Sequence, residues 1–331
     1  MSANIRAASE AAIDEAARLL HAGELVAFPT ETVYGLGADA SNPAALRRLF
    51  EAKGRPADHP VIVHVADLAA ARRWAATMSA GALALAEAFW PGPLTLIVPR
   101  AAQVSDAVTG GQASVGLRVP SHPVARALLA GFGGGIAAPS ANRFGHVSPT
   151  TARHVADDLG DAVALILDGG PCDVGIESTI VAFDGDTPLL LRPGGVGADA
   201  IAGVLGRMPA RGGASAPRAS GTLASHYAPR TPSTLVSKDA LRAELLQLAD
   251  RDERVAVLAR DVAIPEGFDG LWIHAPRDPV TYARALYANL RALDAAGADA
   301  ILIEEVPADR SWTAVRDRLS RATAGIDDDR D

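Results

Sequence analysis

Short apolar runs alternate with segments of helical periodicity along most of the chain, and this alternation restricts the fold to one class. Residues 25–28 and 61–65 are apolar runs of strand type, whereas the apolar positions of residues 9–23 and 42–54 keep helical spacing. Such alternation is typical of helices that cover a sheet. Several strands follow one another with too few residues for an intervening helix, so we predict an α/β fold with a mixed sheet.

Local signals place individual elements of this fold. Ser9 is a suitable cap for a helix that stops at Gly23, and Asn42 followed by Pro43 predicts a second helix that ends by Gly54. Six further strands are predicted at residues 94–98, 114–119, 135–138, 163–167, 178–183 and 188–191.

The composition changes near residue 206 and indicates a domain boundary. Residues 206–230 are rich in Gly, Ala, Ser and Pro and carry four arginines and no acidic residue, in a chain of net charge −8. A basic, flexible segment of this kind can close over an anionic substrate as a lid. We predict a catalytic domain at 1–205, a linker or lid at 206–231, a smaller Rossmann-like α/β domain at 232–325 and an acidic tail at 326–331.

Composition excludes several classes of protein. A content of 49% hydrophobic and 21% charged residues is that of a globular chain rather than a disordered one. The single cysteine, Cys172, cannot form an internal disulfide, and no stretch approaches the ~20 apolar residues of a membrane span. The excess of acidic residues argues against a general nucleic-acid binder. We expect a cytoplasmic protein that does not enter the membrane.

Three common catalytic motifs are not supported. Gly35 and Gly37 fit a loose dinucleotide pattern, but that pattern requires the glycines to join a strand directly to a helix, and the next predicted helix begins only at Pro43. No lysine stands in a Walker A setting, and the segment from Gly111 to Gly116 has one residue too many for a serine nucleophile elbow.

Polar, glycine-bearing segments follow several predicted strands, where α/β folds place ligands. Lys53-Gly-Arg55 combines two cations with a glycine that allows close approach, which suits a polyphosphate, although this motif taken alone is better explained as a solvated helix end. Ser140 and Asn142, with Ser148 beyond them, can contact phosphate or the water shell of magnesium, or can simply form a turn.

Three further polar residues have two interpretations each. Arg118 lies within an apolar strand, where it either reaches solvent at an edge or meets a carboxylate. His64 also interrupts an apolar strand, as a ligand contact or as a core histidine. Arg192 precedes Pro-Gly-Gly and fits either an anion site or a plain turn.

Six segments in this order resemble the threonylcarbamoyl-AMP synthase family, the YrdC-like enzymes that begin the threonylcarbamoyladenosine modification of tRNA. They are Pro-Thr-Glu-Thr-Val-Tyr-Gly-Leu-Gly at 29–37, Lys53-Gly-Arg55, Pro-Gly-Pro-Leu-Thr at 91–95, Ser140-Ala-Asn142, Gly-Ile-Glu-Ser-Thr at 175–179 and Leu-Arg-Pro-Gly-Gly at 191–195. The linker and the second domain resemble the longer, two-domain form of the family, and the His226-Tyr227-Ala-Pro end of the family linker is present.

The resemblance implies a twisted mixed sheet with a large concave cavity. It implies that ATP, L-threonine and bicarbonate or CO2 are joined into threonylcarbamoyl-AMP with release of pyrophosphate, with Mg2+ carried by ATP and a downstream transferase complex and tRNA as indirect partners. The catalytic residues implied are Lys53, Arg55, Ser140 and Asn142, and the ATP-binding residues are Arg55, His59, Ser114, Ser140, Ser148, Arg192, His226 and Tyr227. His59 stands where the family usually has asparagine. The threonine-binding residues implied are Thr32, His64, Arg118, Ala138 and Ser178.

Two other classes of function compete with this one. An RNA-binding module would use the basic cavity, and its binding of tRNA would depend steeply on salt. A carbamoylation-linked maturation factor would share the YrdC-like domain, but such chains also carry zinc-finger segments, which one cysteine cannot provide.

Overall fold

The computed structural model describes residues 4–213, 216–223, 226–249 and 253–324. The chain forms two compact units, one containing residues up to 144 together with 148–222, and the other containing 145–147 together with the residues from 223 onward. The acidic tail predicted at 326–331 lies outside the described residues. The fold class expected from the sequence is confirmed, because the first unit is built on a large mixed sheet and the second on a smaller parallel one.

The sheet of the first unit has eleven strands among the described residues, in the order β1-β8-β2-β3-β7-β4-β6-β5-β9-β10-β11. Parallel and antiparallel pairs both occur, as in the parallel pair β4 and β6 and the antiparallel pair β5 and β6. The strands are β1 (Ile5–Ala7), β2 (Val26–Phe28), β3 (Gly35–Asp39), β4 (Ile62–His64), β5 (Leu94–Pro99), β6 (Ser114–Arg118), β7 (Ile136–Ala137), β8 (Leu165–Asp168), β9 (Thr179–Asp184), β10 (Thr187–Arg192) and β11 (Ala210–Arg211).

Helices pack on this sheet and complete two apolar clusters. The helices α1 and α6 contribute Leu20, Leu128 and Leu129 to one cluster, and α2 contributes Leu46 and Leu49 to the other. Within the described ranges, no helix is long and apolar enough to cross a membrane. The helices are α1 (Glu10–His21), α2 (Pro43–Lys53), α3 (Leu68–Arg72), α4 (Ala80–Phe89), α5 (Asp106–Thr109), α6 (Pro123–Phe132), α7 (Ala152–Leu159) and α8 (Ala198–Leu205).

The caps predicted for the first two long helices are confirmed. The Ser9 side chain accepts a hydrogen bond from the backbone N–H of Ala12, and the Asn42 side chain accepts from two backbone N–H groups of the first turn of α2. Gly54 ends α2 in the left-handed conformation, with φ of 63°. This termination places Lys53 in the last turn of α2 and Arg55 directly beyond it.

No strand was predicted from the sequence between residues 29 and 42, although one lies there. Gly35 to Gly37 belong to β3, which pairs antiparallel with β2 and with β7. Glycine is needed at position 37 because a Cβ atom there would lie 2.9 Å from the Phe28 ring and 3.0 Å from the Ile136 side chain. The glycine pattern therefore reflects close packing against the sheet rather than a phosphate turn.

The second unit is a four-stranded parallel sheet in the order β12-β15-β13-β14. Its strands are β12 (Ser233–Val236), β13 (Val255–Ala259), β14 (Trp272–His274) and β15 (Ala300–Glu304), and its helices are α9 (Leu241–Ala249), α10 (Pro279–Asp294) and α11 (Thr313–Ala322). Apolar runs in the sequence predict strands at 255–258, 271–274 and 300–304, and all three are confirmed, whereas β12 was missed. The exact boundaries predicted for the domains remain a proposal.

Replacing Gly37 by alanine tests the close approach at β3. The added methyl group would overpack the interface with Phe28, so we expect Gly37→Ala to lower the free energy of unfolding by about 1–3 kcal/mol. Gly203→Ala in α8 is the matched control, because a Cβ atom there meets nothing within 4 Å and alanine is the better helix former. Urea denaturation of both variants is the measurement. Equal denaturation midpoints would contradict the packing argument.

Candidate active site

Lys53 holds the loop that contains Ser140 and Asn142. Its Nζ atom donates hydrogen bonds to the carbonyl oxygens of Ser140 (2.6 Å) and Asn142 (2.5 Å), and the side chain is buried. Burial and the charge of Arg55 hold the pKa of Lys53 well below its ordinary value. In its protonated form the group has three N–H donors, so one donor remains for a further acceptor.

Arg55 lies beside this loop, and both Arg55 and His59 contact the ring of Phe144. The guanidinium carbon of Arg55 lies 5.4 Å from the centroid of the Phe144 ring, and the His59 ring meets the same ring edge-on at 5.3 Å. The Nη2 atom of Arg55 donates to the carbonyl oxygen of Pro60 (2.9 Å) and to Ser220 Oγ (3.4 Å). Burial and the charge of Arg55 lower the pKa of His59.

Arg192, the last residue of β10, contacts both the backbone and the side chain of Ser178. Its Nε and Nη2 atoms donate to the Ser178 carbonyl oxygen at 3.1 and 2.9 Å, and Nη2 also reaches Ser178 Oγ at 3.2 Å. Its Nη1 atom donates to the Ser220 carbonyl oxygen at 2.8 Å. Ser178 Oγ shares a hydrogen bond of 2.8 Å with Thr95 Oγ1. A residue predicted for ATP and one predicted for threonine are therefore in direct contact.

Residues of the predicted linker line a cleft in the first unit. The cleft is lined by Ser114, Pro60 and the segment 218–220. Gln112 fixes this segment, because its side chain accepts from the Arg218 backbone N–H (2.7 Å) and donates to the Arg218 carbonyl oxygen (3.1 Å). Ser220 Oγ donates to the Pro60 carbonyl oxygen at 2.8 Å. Arg55 and Arg192 both donate to Ser220, one of the residues that line this cleft.

Arg118 is buried in an ion pair at the end of β6. Its Nη2 atom lies 2.7 Å from Glu31 Oε1, Nη1 donates to Thr32 Oγ1 at 2.9 Å, and Nε donates to the Gly92 carbonyl oxygen at 3.3 Å. Burial opposes ionisation of Glu31, but the charge and hydrogen bond of Arg118 outweigh it, so the pKa of Glu31 lies below its ordinary value. Of the two interpretations of Arg118, the carboxylate contact is the one observed.

His64 is paired with Arg118 in the register of β4 and β6. It is buried, and its Nδ1 atom has no hydrogen-bond partner among the described residues. Burial and the charge of Arg118 lower the pKa of His64 to about 3, so the ring is neutral near pH 7. Ala138 lies close by, because its backbone N–H donates to the Ile62 carbonyl oxygen on the same strand as His64.

Ser148 and Glu177 form a buried pair in the first unit. Ser148 Oγ donates to Glu177 Oε1 at 2.6 Å. The turn after β10 packs on the segment that carries Glu177, since a Cβ atom at Gly194 would lie 2.4 Å from the Glu177 carbonyl oxygen. The glycines of the 191–195 motif thus allow this turn to approach Ser178 closely.

His226 and Tyr227 belong to the second unit, and their contacts there are specific. The backbone N–H of His226 donates to the Arg321 carbonyl oxygen, and the Tyr227 ring lies 5.7 Å from the Tyr287 ring and 5.0 Å from the Arg318 guanidinium. Tyr227 is non-glycine and has a φ of 64°, in the left-handed region. Their predicted role toward ATP stays a prediction.

The residues of this arrangement that were not singled out from the sequence include Glu31, Phe144, Glu177 and Ser220. Glu31 and Glu177 lie inside motifs quoted above, but nothing in the sequence indicates which side chains they contact. Phe144 and Ser220 carry no local signal, because their role depends on contacts with residues distant in the chain.

Comparisons with known proteins point in one direction. A family described as "Telomere recombination" matches residues 18–194, and one described as "Threonylcarbamoyl-AMP synthase, C-terminal domain" matches residues 196–324. The threonylcarbamoyl-AMP synthase of Bacillus subtilis is 40% identical over 322 residues, which cover 95% of this chain and 93% of that protein. The protein of the same name from Pyrococcus abyssi is 39% identical over 320 residues, covering 93% of each.

Solved structures agree with the sequence comparisons. The crystal structure of Pyrococcus abyssi Sua5 complexed with L-threonine matches with a TM-score of 0.88 and 36% identity, over 97% of this chain and 96% of that one. Escherichia coli YciO matches with a TM-score of 0.52 and 23% identity over 58% of this chain and 94% of that one, which supports the fold alone.

The buried neutral His64 predicts a pH dependence of stability. Because its pKa falls from 6.5 in the unfolded chain to about 3 in the folded one, its contribution is complete above pH 6.5 and is lost as the pH falls toward 3. Between pH 7 and pH 5 the wild type should therefore lose up to about 2 kcal/mol more stability than His64→Asn. Urea denaturation at several pH values is the measurement, and parallel curves for the two proteins would refute the assignment.

Proposed function

This chain belongs to the threonylcarbamoyl-AMP synthase family, and we propose that it joins L-threonine, bicarbonate and ATP into threonylcarbamoyl-AMP and pyrophosphate. In this reaction the threonine amine and bicarbonate form a carbamate with loss of water. A carbamate oxygen then attacks the α-phosphorus of ATP, and pyrophosphate leaves. The enzyme is thereby a nucleotidyltransferase. One observation carries the proposal beyond family membership: Ser178 contacts Arg192, which also reaches Ser220 of the cleft, and Thr95 of β5, the strand that pairs with the strand of Arg118.

The phosphates of ATP are assigned to the cations at the cleft. We assign the triphosphate to Lys53, Arg55, Ser140 and Asn142, and further ATP contacts to His59, Ser114, Ser148, Arg192, His226 and Tyr227. Lys53 both positions the Ser140–Asn142 loop through two carbonyl oxygens and keeps one N–H donor for an anion. Mg2+ arrives with ATP, since it binds phosphate oxygens and keeps several waters.

The amino acid is assigned to the pocket around Arg118. Three of the five N–H donors of Arg118 are used by protein oxygens, which leaves two for a carboxylate. The neutral His64 ring offers Nδ1 as an acceptor for a hydroxyl group. Thr32, Ala138 and Ser178 complete the proposed threonine site. A relative solved with L-threonine supports this choice of amino acid.

The linker is proposed to act as a lid on the nucleotide. Ser220 accepts a hydrogen bond from Arg55 through its hydroxyl and one from Arg192 through its carbonyl. A triphosphate that reaches both arginines must displace Ser220 or rearrange around it. Closure over a mixed anhydride would exclude water from a labile product.

The product is an activated carbamoyl donor, and a transferase complex must consume it. We propose that this complex passes the threonylcarbamoyl group to tRNA, which makes tRNA an indirect partner. The chain matches more than nine-tenths of the length of two relatives named threonylcarbamoyl-AMP synthase. This match favours the proposed function over an RNA-binding module or a maturation factor.

The proposed function is tested by incubating the chain with ATP, Mg2+, bicarbonate and one amino acid at a time. Pyrophosphate should be released with L-threonine and not with serine, valine or allothreonine, because the pocket must recognise both the hydroxyl and its configuration. Omission of bicarbonate is the control and should abolish release. Equal pyrophosphate release with all four amino acids would refute the proposal.

Removing the guanidinium of Arg55 tests the phosphate assignment. Arg55→Ala leaves the charge that develops on pyrophosphate without a buried partner, so we expect at least an about hundredfold loss of kcat/KM. Arg218→Ala is the matched control, because its exposed side chain pairs with Asp58 at 3.5 Å on the same wall of the cleft. Circular dichroism should show both variants folded. A folded Arg55→Ala with near-native turnover would remove Arg55 from the site.

A further inference from the structure

Glu31 is a buried carboxylate for which the proposed reaction has no stated role. Its side chain is 8% exposed, and it sits against Arg118, which is 5% exposed. A carboxylate and a guanidinium that are both buried are held in one relative geometry, because neither can turn to water for an alternative partner.

Backbone groups fix the position of Glu31 independently of Arg118. Its Oε2 atom accepts the backbone N–H of Ser121 at 3.1 Å, and its own carbonyl oxygen accepts the backbone N–H of Val174 at 2.7 Å. Both partners lie on connecting segments of the first unit. The position of the carboxylate is therefore fixed, and the ion pair with it determines the orientation of the long Arg118 side chain.

The contacts of Arg118 determine what it can still bind. Glu31, Thr32 and Gly92 occupy one donor on each of its three nitrogen atoms. One N–H remains on each terminal nitrogen. A carboxylate that accepts both gains a two-point contact, which a single point charge cannot imitate.

The charge of the pair matters as much as its geometry. With Glu31 ionised, the buried pair has no net charge, so it attracts a polyphosphate far less than a lone arginine would. The cations of the nucleotide cleft, in contrast, meet mainly carbonyl and hydroxyl oxygens. A chain that binds both an amino acid and a triphosphate needs this difference in net charge, because it makes each ligand bind in its own part of the site.

We propose that Glu31 is a positioning residue that orients Arg118 toward a single substrate carboxylate and prevents Arg118 from binding phosphate. The proposal rests on the assignment of Arg118 to the threonine carboxylate. Two properties of Glu31 are separable: its charge, which neutralises Arg118, and its length, which sets the position of the guanidinium.

Two substitutions separate these properties in the full-length chain. Glu31→Gln keeps the length and removes the charge, and Glu31→Asp keeps the charge and shortens the side chain. Calorimetric titration with L-threonine, L-threoninamide, inorganic pyrophosphate and ATP is the measurement. The amide lacks the carboxylate and reports any general damage to the pocket.

We expect both variants to bind L-threonine at least about tenfold more weakly, since a hydrogen-bonded charge contact is lost or displaced. Binding of L-threoninamide should stay within about twofold of the wild type. Only Glu31→Gln should gain a second pyrophosphate site that competes with L-threonine, because only this variant leaves Arg118 without its carboxylate. If Glu31→Gln does not fold, the binding of L-threonine and L-threoninamide by Glu31→Asp alone tests whether Glu31 positions Arg118.

Arg118→Lys distinguishes failure of this proposal from failure of the proposed function. In one outcome, Arg118→Lys weakens binding of L-threonine and not of the amide, while both Glu31 variants bind L-threonine as the wild type does. This result overturns the role of Glu31 and leaves the threonine site intact. If Arg118→Lys weakens binding of L-threonine and of the amide equally, the assignment of Arg118 to the threonine carboxylate is itself overturned. Equal loss of both ligands in the Glu31 variants means that Glu31 is merely structural.

Discussion

Buried basic side chains in the first unit require oxygen acceptors that the fold must bring to them. The residues are Lys53, Arg55, Arg118 and Arg192. Burying an uncompensated charge costs several kcal/mol, so each position is tolerable only when acceptors converge on it. Carbonyl oxygens supply much of this compensation, as for Lys53 at Ser140 and Asn142 and for Arg192 at Ser178. A carbonyl dipole stabilises a cation without cancelling its charge, so the cleft keeps its attraction for an anion.

The end of the site that we propose for the amino acid follows the opposite rule. There Arg118 meets the full charge of Glu31, and His64 beside it is neutral. The site thus has one end of net positive charge and one end close to neutral, joined through Ser178. A triphosphate and a zwitterionic amino acid differ in net charge, so under the proposed assignment each ligand favours a different end of the site.

The second unit shows the same principle with the sign reversed. Glu304, at the end of β15, is buried, and its Oε2 atom accepts three consecutive backbone N–H groups from Arg260, Asp261 and Val262. The carboxylate fixes the loop after β13 by satisfying donors that would otherwise need water. In both units a buried charge holds a loop at the end of a strand, and the loop geometry depends on that charge.

Much of the molecule was predictable from sequence because its signals are local. Apolar periodicity determined the α/β class, Ser9 and Asn42 determined where two helices begin, and six ordered motifs determined the family. Tertiary structure alone decided that Gly37 belongs to a strand, that Glu31 is the partner of Arg118, and that Ser220 meets Arg55 and Arg192. Those contacts join residues far apart in the chain, and the free energy of burying a charge depends on every group that the fold brings to it, which no local window of sequence contains.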